Sequence, residues 1–293
     1  MSEGTTIALR HGAAQAEIAL AGAEARQWSV GHNDLLWPGD PAVWNQISPI
    51  LFPVVGWTRD GARIGGQHYP LGLHGFAAAQ RFVIDVHNDD HVRLSLTDND
   101  ETRRQYPFAF LLAVEYRLGD YDLAITLEVD NSCAAPMPYA CGLHPGFRWP
   151  FAGGPREGAR VEFEKPERPD VPVIASGGLI APRRRAIPLD GATLPLSDAL
   201  FSGDALCFLD PRSRSLRFVE ANGAAITMEL GDFPHAALWM RPGAPFLCLE
   251  AWSGYSDPED FAGELTDKPG MRILGPGERA RHVARYVFTA PPA

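Results

Sequence analysis

One carboxylate, Glu250, lies in the segment Phe246–Trp252, whose other six side chains are apolar. Side chains alternate between the two faces of a strand, so Glu250 shares its face with Cys248 and Trp252. Burial penalises the charged form of a carboxyl group and raises its pKa, which suits a group that accepts and returns a proton near neutral pH. Glu250 is therefore a candidate acid or base, although a salt-bridged core glutamate produces the same pattern.

Two histidines are further candidates for proton transfer or hydrogen bonding. In the segment Gly142–Phe147, His144 precedes Pro145, which favours an extended backbone, and Gly146 then allows a sharp turn. This arrangement predicts an imidazole at the end of a strand. His74 lies at another predicted turn, before a glycine. Either histidine, taken alone, also fits an ordinary hydrogen-bonded residue.

Sequence signatures of other chemistries are missing. The chain has no HxH or HExxH motif, so we expect no metal. It also lacks a GxSxG elbow, a GxGxxG turn after a strand and a P-loop, and we expect no cofactor. The four cysteines form no CxxC pair and predict no disulfide framework. The chemistry is therefore predicted to depend on acid and base side chains.

The composition predicts an all-β protein with few short helices. The chain has 293 residues, including 29 glycines and 26 prolines, and 45% of its residues are hydrophobic. So many glycines and prolines are typical of short strands joined by tight turns, and large β sandwiches often form one domain. With no internal repeat and no low-complexity tract, residues 1–293 are predicted to be a single domain.

Charge and hydropathy exclude several classes of partner. The 26 basic and 36 acidic residues give a net charge of −10, which argues against nucleic acid. The longest apolar stretch, Phe108–Val114, is too short to span a membrane, and the amino terminus does not resemble a signal peptide. We therefore expect a cytoplasmic protein without membrane association, as a monomer or a homodimer.

Alternation of apolar and polar residues predicts strands and hairpins. The clearest alternation covers Leu123–Val129, and it follows the apolar run Phe108–Leu118 across a short turn. Asn222 and Gly223 predict a second hairpin, because Asn-Gly suits a turn that needs positive φ angles.

Other elements are predicted with weaker signals. Segments Arg81–Val86 and Val92–Leu96 form a third predicted hairpin, and Ala280–Thr289 is the predicted final strand. Asp40–Gln46 has an N-cap residue followed by proline, which predicts a short helix. The polar stretch Pro166–Asp198 is interpreted as an excursion within the domain.

Four motifs in this order resemble the aldose 1-epimerase (galactose mutarotase-like) superfamily, most closely its LacX-like branch. They are the Phe-Pro segment Pro49–Gly56, the turn His74–Phe76, the segment Gly142–Phe147 and the strand Phe246–Trp252. The resemblance covers nearly the whole chain. It implies a large antiparallel β supersandwich whose concave face holds a monosaccharide or a related hemiacetal.

The resemblance also implies roles for individual residues. His144 and Glu250 match the catalytic histidine and glutamate, His74 matches a substrate-contacting histidine, and Asp204 matches an aspartate that binds a sugar hydroxyl. The expected mechanism has Glu250 as the base at O1 and protonated His144 as the acid at O5, without a cofactor. His74, Arg59 and Asp204 are expected to hold hydroxyls or the ring oxygen, and Trp252 or Trp57 offers an aromatic face to sugar C–H groups.

The chain departs from the family pattern at two arginine positions. Relatives often carry an arginine directly after the Phe-Pro segment and another after the histidine turn, where this chain has Trp57 and Ala78. Arg59 is near enough in sequence to replace the first. Arginines near these positions bind phosphate in hexose-6-phosphate epimerases, so their replacement favours a non-phosphorylated sugar.

Three alternatives to a mutarotase acting on a neutral sugar remain open. One is a carbohydrate-binding or regulatory protein with the same fold and little turnover. Another is a hexose-6-phosphate 1-epimerase. The third is a glycoside hydrolase or lyase, which needs a second carboxylate, for which Asp204 and Asp232 are candidates.

Overall fold

The computed structural model describes residues 6–292, which form antiparallel β-sheets with very little helix. In chain order, the first twelve strands are β1 (Thr6–His11), β2 (Ala14–Ala19), β3 (Ala25–Val30), β4 (Asn33–Asp34), β5 (Ile50–Leu51), β6 (Ala62–Ile64), β7 (Gln67–Tyr69), β8 (Val83–His87), β9 (His91–Thr97), β10 (Phe110–Leu118), β11 (Asp122–Asn131) and β12 (Met137–Tyr139). The later strands are β13 (Gly142–Leu143), β14 (Gly146–Arg148), β15 (Arg160–Phe163), β16 (Asp170–Ile174), β17 (Ile180–Ala186), β18 (Thr193–Pro195), β19 (Leu206–Phe208), β20 (Ser215–Val219), β21 (Ala225–Glu229), β22 (His235–Trp239), β23 (Phe246–Trp252), β24 (Arg272–Leu274) and β25 (Arg279–Thr289). The all-β prediction is confirmed.

Helical structure is limited to short elements. The α-helix α1 covers Asp100–Gln105, and single 3₁₀ turns cover Ala77–Ala79, Ser176–Gly178, Asp198–Phe201 and Leu265–Asp267. Among residues 6–292 the structure contains no helix with the length and apolar character of a membrane span.

Two large sheets carry most of the strands. The nine-stranded sheet has the order β18-β15-β20-β21-β25-β11-β10-β9-β8. The second sheet has the order β19-β22-β23-β13-β5, and β14 also pairs with β23. Strands β1 to β4 form a separate sheet, and three two-stranded sheets, β6-β7, β12-β24 and β16-β17, complete the architecture. Strand β23 is central in its sheet, and all seven of its residues are buried.

The alternation rule explains the best-predicted strands. In β11 the apolar residues Leu123, Ile125, Leu127 and Val129 are buried, as the sequence pattern predicts. Strand β11 pairs with β10 in the predicted hairpin, with Leu118 opposite Leu123. The predicted hairpins β20-β21 and β8-β9 also form, and β25 is the predicted final strand.

The helix predicted at Asp40–Gln46 is wrong. Asp40 instead begins a turn, in which its side chain accepts the N–H of Ala42 and its backbone bridges Trp44. Trp44 is only 8% exposed, so burying this large side chain decides the backbone geometry over the local capping signal. The α-helix that does form, α1, was not predicted. Asn99 caps it by accepting the N–H groups of Glu101 and Thr102.

The polar stretch Pro166–Asp198 contains a hairpin of its own, β16-β17. It is attached to the rest of the structure by a bridge between Ile180 and Pro258. The end of β16, at Ile174, and Gly178 in the following 3₁₀ turn lie beside the cavity described below. This excursion therefore contributes a wall of the candidate site.

Candidate active site

Strand β23 fixes the position of Glu250 at the centre of a sheet. The strand pairs with β22 on one side, where Glu250 lies opposite Ala237, and with β13 and β14 on the other. Glu250 is fully buried, and its Oε2 accepts a hydrogen bond of 3.0 Å from the indole N–H of Trp252. The two residues share a face of the strand, as the two-residue spacing predicts.

His144 lies opposite Glu250 because of strand register. On either side of His144, Gly142 pairs with Trp252 and Gly146 pairs with Cys248. Continuing either register places residue 144 directly across from residue 250. Nε2 of His144 lies 3.2 Å from Oε2 of Glu250, and the histidine is 7% exposed. The break between β13 and β14 therefore presents an imidazole to the buried carboxyl group.

Burial changes the proton affinity of both groups in opposite directions. It lowers the pKa of His144 to about 4 and raises the pKa of Glu250 well above its usual range, and the nearby Asp204 carboxylate raises the latter further. Both shifts favour neutral forms, so burial favours a free site in which one proton lies on Glu250 and is donated to His144. This differs from the expected imidazolium, because desolvation outweighs the attraction between the two charges.

His74 presents a defined donor to the same region. Its Nδ1 accepts the backbone N–H of Gly56 at 3.0 Å, so the proton of the neutral ring is on Nε2. Burial and the neighbouring His144, whose ring centroid lies 5.4 Å away, lower the pKa of His74 well below its usual value. The next residue must be glycine, because a Cβ at Gly75 would lie 2.2 Å from the carbonyl oxygen of Phe52.

These side chains line one cavity of about 280 Å³. That volume is near the lower end of small-molecule pockets, which begin at roughly 300 Å³. Trp44, Trp239 and Trp252 contribute aromatic surface, and Trp44 packs against the ring of His144 at 5.3 Å. Within residues 6–292, Oε1 of Glu250 has no hydrogen-bond partner. A buried carboxyl oxygen without a protein partner is therefore available to a ligand in the cavity.

Five of the six predicted site residues lie together. His144, Glu250, His74, Asp204 and Trp252 all line the cavity.

Arg59 does not line this cavity. Its backbone N–H donates to the carboxylate of Asp257, and its guanidinium donates to the carbonyl oxygen of Glu259. It faces a neighbouring cavity instead. Closeness in sequence to the Phe-Pro segment therefore does not bring its side chain beside His144.

Sequence reasoning missed several residues of the cavity wall. The exposed residues Gln46 and Arg241 line its mouth, and the half-buried Trp239, the last residue of β22, lines its wall. Trp239 is opposite Cys248 in the pairing of β22 with β23. This long-range pairing brings Trp239 and Arg241 to the site, and no motif in the sequence indicates it.

The site also contains potential metal donors. Ligand atoms of His144, Cys248 and Glu250 lie within 4.8 Å of one another. Burial raises the pKa of the Cys248 thiol well above its usual value, and the Glu250 carboxylate adds to this rise. Protonated thiol and carboxyl groups are poor metal ligands, so this donor set fits proton transfer better than coordination. The absence of a metal stays a prediction.

Comparison with known proteins identifies the family. Residues 5–286 match the family model described as Aldose 1-epimerase. The chain belongs to the aldose 1-epimerase family. The LacX protein encoded on a plasmid of Lactococcus lactis subsp. lactis is 33% identical over 255 residues, which cover 83% of this chain and 85% of LacX. The predicted membership of the LacX-like branch is confirmed.

Solved structures of the family share the fold. A galactose mutarotase-like protein from Lactobacillus casei ATCC 334 has a TM-score of 0.91 and 27% identity, covering 97% of this chain and all of the other. A galactose mutarotase related enzyme from Lactobacillus acidophilus has a TM-score of 0.89 and 27% identity, covering 98% of each chain. The predicted galactose mutarotase-like supersandwich is confirmed. Epimerase-type chemistry on a sugar is the activity that this family membership supports.

Proposed function

We propose that the protein is an aldose 1-epimerase, a mutarotase that interconverts the α and β anomers of a non-phosphorylated aldose. The observation that carries the proposal is the pair formed by His144 and Glu250 on a sugar-sized cavity, with Oε1 of Glu250 free of protein partners within residues 6–292. Mutarotation needs one acid and one base near the anomeric carbon, and this pair supplies both with a single shared proton.

Substrate binding sets the two roles. O1 and O5 of a pyranose are bonded to the same carbon, so they fit beside two proton-transfer groups that are themselves 3.2 Å apart. When the O1 hydroxyl donates to Oε1 of Glu250, it stabilises the carboxylate, as the Trp252 N–H already does at Oε2. The shared proton then moves to Nε2 of His144. Glu250 becomes the base and His144 the acid.

Ring opening follows from this arrangement. Glu250 takes the O1 proton while a C1=O bond forms and the C1–O5 bond breaks, and His144 gives its proton to O5. The open-chain aldehyde rotates about its C1–C2 bond and presents the other face of C1. O5 then attacks C1 as His144 takes back the O5 proton and Glu250 returns a proton to O1. No redox step and no cofactor is required.

The other groups of the cavity bind the sugar. His74 donates from Nε2, Asp204 accepts from a hydroxyl at the rim, and Trp252 contributes aromatic surface. Arg59 is not among these groups, because its guanidinium lies on the neighbouring cavity.

A hexose-6-phosphate is the second candidate substrate. Arg241 supports it, since the side chain is exposed at the cavity mouth and makes no ion pair within residues 6–292. The putative glucose-6-phosphate 1-epimerase of Escherichia coli K12 is 26% identical over 152 residues, about half of each chain. The aromatic Trp57 and the small Ala78 at the arginine positions of relatives favour a neutral sugar instead.

The test compares the approach to anomeric equilibrium of fresh α-D-glucose, α-D-galactose and α-D-glucose 6-phosphate by polarimetry. We expect the wild type to accelerate a neutral sugar most strongly and Glu250→Gln to lose that acceleration. Preference for the phosphate, lost in Arg241→Ala, would establish the second candidate. No acceleration of any sugar, with binding still detected by NMR, would contradict catalysis and favour a carbohydrate-binding protein.

A further inference from the structure

A second cavity adjoins the catalytic one. It measures about 810 Å³, compared with about 280 Å³ for the catalytic cavity, and Trp57 lines both. The two cavities also share walls made of consecutive residues. Gly72 lines the outer cavity and Leu73 lines the inner one. In the same way, Gly177 lines the outer cavity and Gly178 lines the inner one. The inner cavity therefore opens past Trp57 into a larger outer cavity.

The Trp57 side chain is held in place at this junction. Its backbone N–H donates to Oγ of Ser256 at 3.0 Å, and its carbonyl accepts the N–H of Asp257. The indole lies against Gly178, where an added Cβ would come within 2.1 Å of the ring atom Cδ1. Gly178 also has a φ of +74°, a value that favours glycine. The close approach fixes an aromatic ring that is still 42% exposed.

The orientation of a bound aldose directs its far end to this junction. The anomeric carbon must lie beside Glu250 and His144, which are 0% and 7% exposed and so mark the closed end of the inner cavity. C4 is opposite C1 across a pyranose ring, so a substituent on O4 points away from the closed end. Trp57 and Leu73, each 42% exposed, lie at the open end.

The outer cavity has the side chains that sugar recognition uses. The exposed polar residues Asp60, His68 and Ser176 line it. Arg59 also lines it, and hydrogen bonds hold both its backbone N–H and its guanidinium in place. Hydroxyl groups bind to such polar side chains, while an indole face packs against the C–H face of a sugar ring.

We propose that the outer cavity is a second sugar subsite. It binds the neighbouring residue of a reducing disaccharide or a longer oligosaccharide, while the reducing-end residue lies in the inner cavity beside Glu250. The proposal rests on the mutarotase function and assigns its substrate class. The chemical step is the same ring opening, and the glycosidic bond is neither formed nor broken.

The first test compares kcat/KM for mutarotation of D-glucose with that of the 4-linked disaccharides maltose, cellobiose and lactose. We expect at least one disaccharide to exceed glucose by about tenfold, the gain that one aromatic platform contact supplies. Trp57→Ala is expected to lower the disaccharide-to-glucose ratio by a similar factor, and His68→Ala to lower it less. The matched control is Tyr121→Ala, which removes an aromatic side chain that is 59% exposed and lines neither cavity, and leaves the ratio unchanged.

A binding measurement separates failure of this proposal from failure of the mutarotase function. Saturation-transfer NMR with Glu250→Gln and each disaccharide is expected to show contact with both sugar residues, and Trp57→Ala is expected to remove the contact with the non-reducing one. If no sugar mutarotates, the proposed function fails and this experiment alone decides on the subsite. If glucose is turned over at least as well as every disaccharide, or contacts are confined to the reducing residue, the second subsite is overturned.

Discussion

Two buried histidines, His144 and His282, have nearly the same local chemistry and different surroundings. Burial lowers the pKa of each to about 4. Each also bonds a weakly acidic side chain, since His144 Nε2 lies 3.2 Å from Glu250 and His282 Nε2 lies 2.9 Å from the hydroxyl of Tyr139. His144 and Glu250 line the cavity of the candidate active site, whereas His282 and Tyr139 do not.

The difference shows that a shifted pKa does not identify a catalytic group by itself. The ring of His282 packs against Tyr139 and Phe233, with centroids 5.9 and 5.4 Å away. The residue is 1% exposed and lies in β25, the middle strand of the nine-stranded sheet. Its hydrogen bond satisfies two polar groups in the core. The comparable pair at His144 has access to a ligand. Access to a cavity, in addition to burial, is what makes proton transfer to a substrate feasible.

The largest expected effect is on catalysis by His144→Asn. The amide cannot accept and return the proton, so kcat/KM for the preferred sugar is expected to fall by about 10²–10⁴, the usual contribution of an acid or base. Urea unfolding measures any loss of stability caused by the smaller side chain, so that the activities of folded proteins are compared. Polarimetry on the folded variant checks the result. Activity close to wild type would mean that His144 does not transfer the proton.

The second prediction concerns the other histidine. His282→Phe leaves the buried hydroxyl of Tyr139 without its partner, and the free energy of unfolding is expected to fall by about 2 kcal/mol. The folded variant should keep kcat/KM within about twofold of wild type, since neither residue of the pair contacts the cavity. A loss of activity as large as that of His144→Asn, without unfolding, would contradict the structural role assigned to His282.

The pH dependence separates the two histidines further. The active state carries one shared proton on the pair of His144 and Glu250, so kcat/KM is expected to fall at low pH near 4, where His144 gains a second proton, instead of near 6.5. At high pH, activity is lost as Glu250 gives up its proton, above the usual range of a carboxyl group. A low-pH limb centred near 6.5 would contradict the lowered pKa of His144.

The same shifts predict the pH dependence of stability. A buried histidine that stays neutral down to about pH 4, compared with about 6.5 in the unfolded chain, binds fewer protons when folded than when unfolded between these values. Its contribution to the free energy of unfolding is complete above pH 6.5 and is lost as pH falls towards 4. His282→Phe should therefore make unfolding free energy less dependent on pH in this window. An unchanged slope would mean that His282 does not titrate as described.

The smallest expected effect is at His74. His74→Asn removes the Nε2 donor from the cavity and keeps a residue type that tolerates the positive φ of 60° found here. Loss of one neutral hydrogen bond to the sugar is expected to raise KM by up to about tenfold, with little change in kcat. Steady-state rates at several sugar concentrations separate the two constants. A fall in kcat alone would place His74 in the chemical step.

Local sequence patterns predict individual strands and the types of the reacting groups. The alternation in β11 and the Asn222-Gly223 turn are local signals, and both predicted elements form. Glu250 and His144 are recognisable as polar groups in apolar segments. Their 3.2 Å separation depends on the pairing of β13 and β14 with β23, about a hundred residues later in the chain. The resemblance to a family implied that both residues act in one site, and it did not imply this direct contact.

Errors in the sequence analysis occur where a long-range contact decides a side chain's position. Arg59 donates hydrogen bonds to Asp257 and Glu259, about two hundred residues away, and does not line the cavity of the candidate active site. Arg241 reaches the mouth of the cavity through the pairing of β22 with β23. Neither contact has a signal in the neighbouring sequence.

The most direct measurement removes the acidic partner from each histidine and follows anomer exchange at equilibrium by two-dimensional exchange NMR. Glu250→Gln and Tyr139→Phe are matched conservative changes to the two buried pairs. The account predicts that Glu250→Gln abolishes enzyme-dependent exchange of the preferred sugar and that Tyr139→Phe retains it. Exchange that persists in Glu250→Gln, or is lost equally in a folded Tyr139→Phe, would contradict the assignment of catalysis to the pair on the cavity.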